Sequence, residues 1–212
     1  MLQKQTLAPT TLELLKTLMN DAYLQEFYLV GGTSLALQIG HRISVDLDLF
    51  STAEFNVEQM RYHLENKYGF RTDFFAENTL KGEISGVKID CITHNYRWLD
   101  TFCKEGVRLA GKKDISAMKL NSIAGNGTRI KDFIDLAFLS QFYSLSDMLS
   151  FFHEKYNANE LIPLKAVTFF DEINQNEPIK LTNGKKMNWK NIAKRINLMS
   201  KNISKVFPEP PL

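Results

Sequence analysis

Residues 31–48, GGTSLALQIGHRISVDLD, set the architecture. A short apolar β run, Phe27 to Val30, stops at Gly31-Gly32, and Thr33 to Ile39 then reads as a helix closed by Gly40. Glycines at such a corner let the backbone approach a phosphate closely, and the free amides of a helix start point at the anion. Thr33 and Ser34 add hydroxyls there. Val45 to Phe50 alternates apolar and acidic residues at period two, the mark of a half-buried strand. Asp46 and Asp48 stand at i and i+2 on it, so their carboxylates leave one face about 7 Å apart. Two such carboxylates repel each other unless cations lie between them, which suits Mg²⁺ and its preference for hard oxygen ligands. A D-x-D pair alone also describes a solvated strand face. Preceded at this distance by a glycine-ended strand running into a helix, it is far more specific.

On either side the pattern stays α/β. Pro9 opens an amphipathic helix ending near Asn20, and Asn56 caps VEQMRYHLENKY, which ends at Gly69. Phe70 to Phe75 reads as a strand, and Leu80 to Thr93 as a hairpin turning at Ser85-Gly86. In VKIDCIT, Ile89 and Cys91 face a core and Asp90 looks the other way. If that strand lies beside the Asp46-Asp48 strand, three carboxylates converge for two-metal catalysis; otherwise Asp90 is an exposed residue paired with Lys88.

Near residue 110 the character changes to all-helical. Asp114 is expected to cap ISAMKLNSIA, GNGTR to form an inter-helix turn, and IKDFIDLAFLSQFY, Ser144–Tyr156 and Glu160–Ile173 to form helices. Asn188–Val206 repeats Trp189, Ile192, Ile196, Met199, Ile203 and Val206 on one face and lysines on another. Asp135 interrupts an apolar run, and a buried carboxylate needs a cation; Lys131, Lys119 and Arg129 are the candidates. The outcome is either a structural ion pair or an acid/base or orienting role. Arg42, in the loop with His41, contacts phosphate or lies on an ordinary surface loop.

Composition narrows the class. The 212 residues are 44% hydrophobic and 24% charged, ordinary for a soluble globular chain. No apolar run reaches the length of a spanning helix, and the N-terminus lacks a signal-type core, so a cytoplasmic location is expected. Two cysteines, Cys91 and Cys103, make neither a disulfide framework nor a zinc cluster. The net charge of +2 hides an asymmetry. Residues 178–212 carry Lys180, Lys185, Lys186, Lys190, Lys194, Arg195, Lys201 and Lys205 against Glu209 alone, so that segment is +7 and the rest −5. Such asymmetry suggests a polyanionic partner.

Residues 28–50 (YLVGGTSLALQIGHRISVDLDLF) and 114–139 (DISAMKLNSIAGNGTRIKDFIDLAFL) closely resemble the AbiEii/AbiGii toxin family of nucleotidyltransferases, within the DNA-polymerase-β-like superfamily. The resemblance implies an α/β (α+β) polymerase-β-like core with a mixed sheet over 1–110. A helical domain over 111–207 completes the active site, and 208–212 form a tail. It implies that Gly32 and Thr33 position the NTP phosphates, that Asp46 and Asp48 bind Mg²⁺ or Mn²⁺, that Lys119 contacts the nucleotide, and that Asp135 completes the site. Gly31 and Ser34 as further phosphate holders, and Asp90 as a third metal ligand, are what the spacing adds. The chain departs from the family in having Gly-Thr for Gly-Ser and a longer gap before D-x-D, with His41-Arg42 in that gap. The expected function is transfer of NMP from NTP to an acceptor, RNA and particularly tRNA. The setting is that of a growth-arresting toxin with a cognate antitoxin and no membrane. The alternatives are a metal-dependent phosphodiesterase and a non-catalytic RNA-binding relative.

Overall fold

The computed structural model describes residues 1–182, 184 and 186–211. Its chain divides into two compact units, one of residues 1–40, 44–97 and 101–110, the other of residues 41–43, 98–100 and 111–212.

The first unit is built on a seven-stranded mixed sheet. In chain order it holds α1 (Pro9–Met19), β1 (Tyr28–Leu29), α2 (Gly31–Ile39), β2 (Leu47–Ser51), α3 (Val57–Tyr68), β3 (Arg71–Ala76), β4 (Thr79–Ile84), β5 (Val87–Thr93), β6 (Thr101–Lys104) and β7 (Val107–Ala110). The strands lie in the order β3-β4-β5-β2-β1-β7-β6, parallel at β2/β5 and β1/β7 and antiparallel elsewhere. Leu47 and Leu49 stand opposite Ile89 and Cys91, and all four are buried in the core with Leu15, Leu18, Met60 and Leu64. Period-two alternation therefore sends Asp48 and Asp90 to the other face together.

The β6–β7 hairpin is absent from the sequence reading. Its turn residues, Glu105 and Gly106, both have positive φ, as do Ser85 and Gly86 in the β4–β5 hairpin. Two-residue hairpins demand this, and glutamate gives little warning of it.

The second unit is helical: α4 (Lys112–Gly125), α5 (Ile130–Leu139), α6 (Leu145–Tyr156), α7 (Leu161–Ala166) and α8 (Trp189–Lys201). Asp114 does not cap α4, whose N-cap is Gly111. It sits wholly buried in the first turn, bound to Lys155 Nζ at 2.7 Å and accepting the Leu99 and Asp100 amides. The helix expected over 160–173 stops at Ala166, and the chain beyond turns so that Phe170 packs edge-on against Phe133 and Trp189. Helix α8 ends earlier than expected: Ile192, Ile196 and Met199 are buried, whereas Ile203 and Val206 lie past its end and are exposed. Lys185 lies outside the described residues. No helix among the described residues is long and apolar enough to cross a membrane.

Candidate active site

In the first unit the expected corner forms. Val30 N donates to Asp48 O at 2.9 Å, joining the end of β1 to β2. The chain then turns through Gly31 at φ +64°, a conformation in which side chains other than glycine's are strained. A Cβ on Gly31 would stand 2.9 Å from Asp48 Oδ2, so the carboxylate rests against the space that glycine leaves open. Helix α2 begins at Gly31, two residues before the expected start, and its first intrahelical bond runs from Ser34 N to Val30 O. The amides of Gly31, Gly32 and Thr33 precede that bond, the positions from which a helix start offers donors to an anion.

The two hydroxyls take other partners. Thr33 Oγ1, 2% exposed, lies 2.7 Å from Ser44 Oγ and donates to Asp46 O at 2.5 Å. It ties the helix start to the segment leading into β2 and so fixes the backbone that carries Asp46. Ser34 Oγ, fully buried, donates to Ala110 O at 2.9 Å, and Gln38 Nε2 donates to the same oxygen. What faces outward at the corner is half-buried glycine backbone.

Asp48 and Asp90 are direct partners across the parallel β2/β5 pair, about 4.8 Å apart at the backbone. Both are half-buried, as is Asp46, two residues before Asp48. The cation on Asp90 is Lys81, not Lys88: Lys81 stands opposite it on β4 and brings Nζ to 2.7 Å from Oδ2. Among the described residues no three His, Cys, Asp or Glu side chains gather closely enough to form a ready metal cage.

Lys119 and Asp135 belong to a buried polar cluster in the second unit. Asp135, on α5 and fully buried, accepts Arg42 Nε at 2.7 Å and His41 Nε2 at 2.8 Å on Oδ1, and Arg42 Nη2 at 3.0 Å on Oδ2. Lys119 Nζ lies 2.8 Å from Asp135 Oδ2 and 2.6 Å from Asp132 Oδ1, while Ser122 donates to Asp132 Oδ2. Two carboxylates thus meet two obligate cations. Burial alone would raise the Asp135 carboxyl, but Arg42 and Lys119 outweigh it and hold it well below the usual range. Burial likewise opposes the charge on Lys119, and Asp135 with Asp132 still pushes its ammonium up. At His41 burial wins and the imidazole is shifted down. A neutral His41 donates from Nε2 to the ionised Asp135, which leaves Nδ1 as a buried acceptor without a partner among the described residues.

His41 and Arg42 are therefore neither a surface loop nor phosphate ligands in this arrangement. They are buried residues anchored on α5. Lys131, offered by sequence as a partner for Asp135, pairs with Glu177 at 2.5 Å, and Arg129 reaches Asp132, at 3.9 Å, instead of Asp135. Asp132 and Ser122 escaped the sequence reading. The available signal was Asp132 at i−3 from Asp135, which puts two carboxylates on one helix face.

Comparison with known proteins adds three findings. The family described as nucleotidyl transferase AbiEii toxin, Type IV TA system, matches residues 13–97, a span that includes Gly31, Asp46, Asp48, Lys81 and Asp90 but neither Lys119 nor Asp135. An uncharacterized protein of Aquifex aeolicus (strain VF5) is 30% identical over 168 residues, covering 76% of this chain and 81% of its own. The crystal structure of a proposed nucleotidyltransferase from H. pylori aligns with TM-score 0.55 at 17% identity, covering 93% of this chain and 96% of that one, a likeness of fold.

Proposed function

This chain belongs to the AbiEii nucleotidyl transferase toxin family and is a nucleotidyltransferase, and we propose that it moves a nucleoside monophosphate from an NTP to RNA, tRNA foremost. The family's description as a Type IV toxin–antitoxin component supports a toxin role with a cognate antitoxin; the cytoplasm is its proposed place of action. The observation that carries the reading is Asp48 packed against the φ-positive Gly31 with Asp90 directly opposite it in register.

The donor set fits Mg²⁺, or Mn²⁺ with the same oxygen preference. Mg²⁺ is ordinarily bound by one or two carboxylates, with substrate phosphates and waters completing its octahedron. Asp46 and Asp48 are such a pair, with Asp90 opposite Asp48 as a third candidate, and so few protein donors suit an ion that arrives with a nucleotide. When bound, the ion would polarise the phosphates and offset the charge that grows on them.

The chain's own groups do the rest. Amides of Gly31, Gly32 and Thr33 hold the β,γ-phosphates at the start of α2. The Thr33 hydroxyl keeps Asp46 in place, and Ser34 fixes the helix beneath the corner. Asp90, positioned by Lys81, accepts a hydrogen bond from the acceptor hydroxyl and takes its proton as the new oxygen–phosphorus bond forms. The bond from the α-phosphorus to the bridging oxygen breaks, and pyrophosphate departs with that electron pair. Lys119 and Asp135 are assigned a positioning role, holding Arg42 and His41 a few residues before Asp46. The chemistry is alignment and charge compensation.

Incubation with Mg²⁺, each α-labelled NTP and total tRNA tests this. Label joining RNA is the expected result. RNA shortening without NTP would instead make the protein a phosphodiesterase, and RNA left unchanged would make it a binder. Asp46→Asn and Asp48→Asn are each expected to lower transfer by at least 10²-fold; transfer surviving both removes the carboxylate assignment.

A further inference from the structure

We infer that the outward face of α8 is a docking surface for the phosphate backbone of a nucleic acid. The inference rests on the RNA-acceptor reading and adds where that acceptor lies on the second unit.

Lys190, Lys194 and Lys201 fall within about 40° of arc on a helix advancing 100° per residue. Asn197 lies among them, and Leu198, 39% exposed, lies beside them. The same residues, with Ala193, line a shallow open depression. The opposite side of α8 is fixed on the core by Ile192, Ile196 and Met199, so the lysine face is turned outward by packing. From Lys190 to Lys201 the stripe spans about 16 Å, the axial length of roughly five nucleotides of one strand.

Charge argues against a merely solvated helix face. Solvated helices ordinarily pair their charges at i±3 or i±4, as Glu13–Lys16 does on α1 and Glu58–Arg61 on α3. Helix α8 contains no acidic residue, and its three stripe lysines form no ion pair among the described residues. Arg195, on the same helix, is occupied structurally by Ser140 Oγ and Glu209 O. Two more exposed lysines, Lys180 and Lys186, are placed opposite each other across an isolated antiparallel bridge, where like charges repel. Uncompensated positive charge that is repeated and aligned complements a row of phosphates. Asn197 and Leu198 add a hydrogen-bonding amide and an apolar edge for sugar or base.

The test is anisotropy of a 5′-labelled RNA hairpin titrated with the full chain, without nucleotide, across 50–250 mM KCl. Each phosphate contact adds about 0.7–0.9 to the slope of log K against log salt. The triple variant Lys190→Gln, Lys194→Gln, Lys201→Gln is expected to flatten the slope by about 2 to 3 and to weaken binding at least tenfold at 100 mM. The Lys→Arg triple at the same positions is expected to keep wild-type affinity. Unchanged affinity and slope in the Gln triple overturn the assignment. So does an equal loss from Lys88→Gln, Lys104→Gln, Lys113→Gln, which would mean general charge instead of this face. Polyglutamate displacing the hairpin is not expected; tighter binding of polyglutamate than of RNA at matched charge would reassign the face to an acidic protein. Label transfer to RNA with stripe-independent binding sinks the surface alone, whereas stripe-dependent binding with no transfer under any NTP sinks the RNA-acceptor reaction alone.

Discussion

Gly31 concentrates two requirements in one residue: a left-handed φ, and the space into which Asp48 Oδ2 reaches. Gly31→Ala is expected to cost about 1–3 kcal/mol of stability through the strained backbone and, by displacing the carboxylate, to reduce transfer more than its effect on the melting temperature explains. A melting curve beside a transfer assay checks it; full activity would show that Asp48 needs no such space. Asp135 gives a second case. Its folded-state carboxyl is depressed, so its contribution to stability is complete above the unfolded value near 4 and is lost as pH falls through the lower folded value. His41 is also depressed in the fold, but as a base. Below about pH 6.5 the unfolded chain binds a proton that the folded one refuses, so stability declines there too. Denaturant midpoints are expected to fall in two stages, from about pH 6.5 and again below about 4. Asp135→Asn, which removes the carboxylate that Arg42 and Lys119 share, is expected to cost about 3–5 kcal/mol at neutral pH and to shrink the lower stage, to which Asp21 and Asp132, also held low in the fold, still contribute. A midpoint flat between pH 7 and 5 would remove His41's part.

Among the elements, legibility followed periodicity and punctuation. The span from Gly31 to Asp48 was readable because a strand, a glycine corner, a helix and a D-x-D strand follow within eighteen residues, and each change of period is marked. The β4–β5 hairpin announced itself through Ser85-Gly86 and the alternation of Val87, Ile89 and Cys91. The β6–β7 hairpin is four residues a side, and its Glu105-Gly106 turn carries no asparagine or aspartate, so length and turn chemistry both hid it. Of the partners of Asp135, Lys119 was legible, but Arg42 and His41 were hidden for another reason: they lie more than ninety residues away, and single-sequence spacing holds no such information. Gly82 shows the same limit within the sheet. A Cβ there would stand 2.2 Å from Arg71 O and 2.5 Å from the Phe70 ring, beside a break in the β3/β4 register at Thr72/Phe74. Gly82→Val should therefore dislodge β3 and Phe70, lowering the urea midpoint by the equivalent of several kcal/mol; a loss below about 1 kcal/mol, the ordinary scale of strand propensity, would mean that β3 moves aside at little cost.

For the chain as a whole, the fold class followed from sequence, whereas the pairing of Asp48 with Asp90 stayed conditional there, because strand register decides which carboxylates meet. On the proposed reading, Asp48 opposite Asp90, with Lys81 already on Asp90, would offer part of a coordination shell and leave the remainder to the substrate. Such a site should bind metal weakly alone and strongly with nucleotide. A ligand that binds only the folded state stabilises it by RT ln(1 + [L]/Kd), about 2.7 kcal/mol at a hundredfold excess over Kd. Mg²⁺ alone is thus expected to leave the melting temperature of the native protein nearly unchanged, and Mg²⁺ with a non-hydrolysable NTP analogue to raise it by several degrees. Asp48→Asn should lose that rise while keeping the melting temperature of the free protein. A large rise with Mg²⁺ alone would instead mean a preformed cage, and the same rise in Asp48→Asn would mean that the nucleotide binds without this carboxylate and that the corner at Gly31 is not where its phosphates lie.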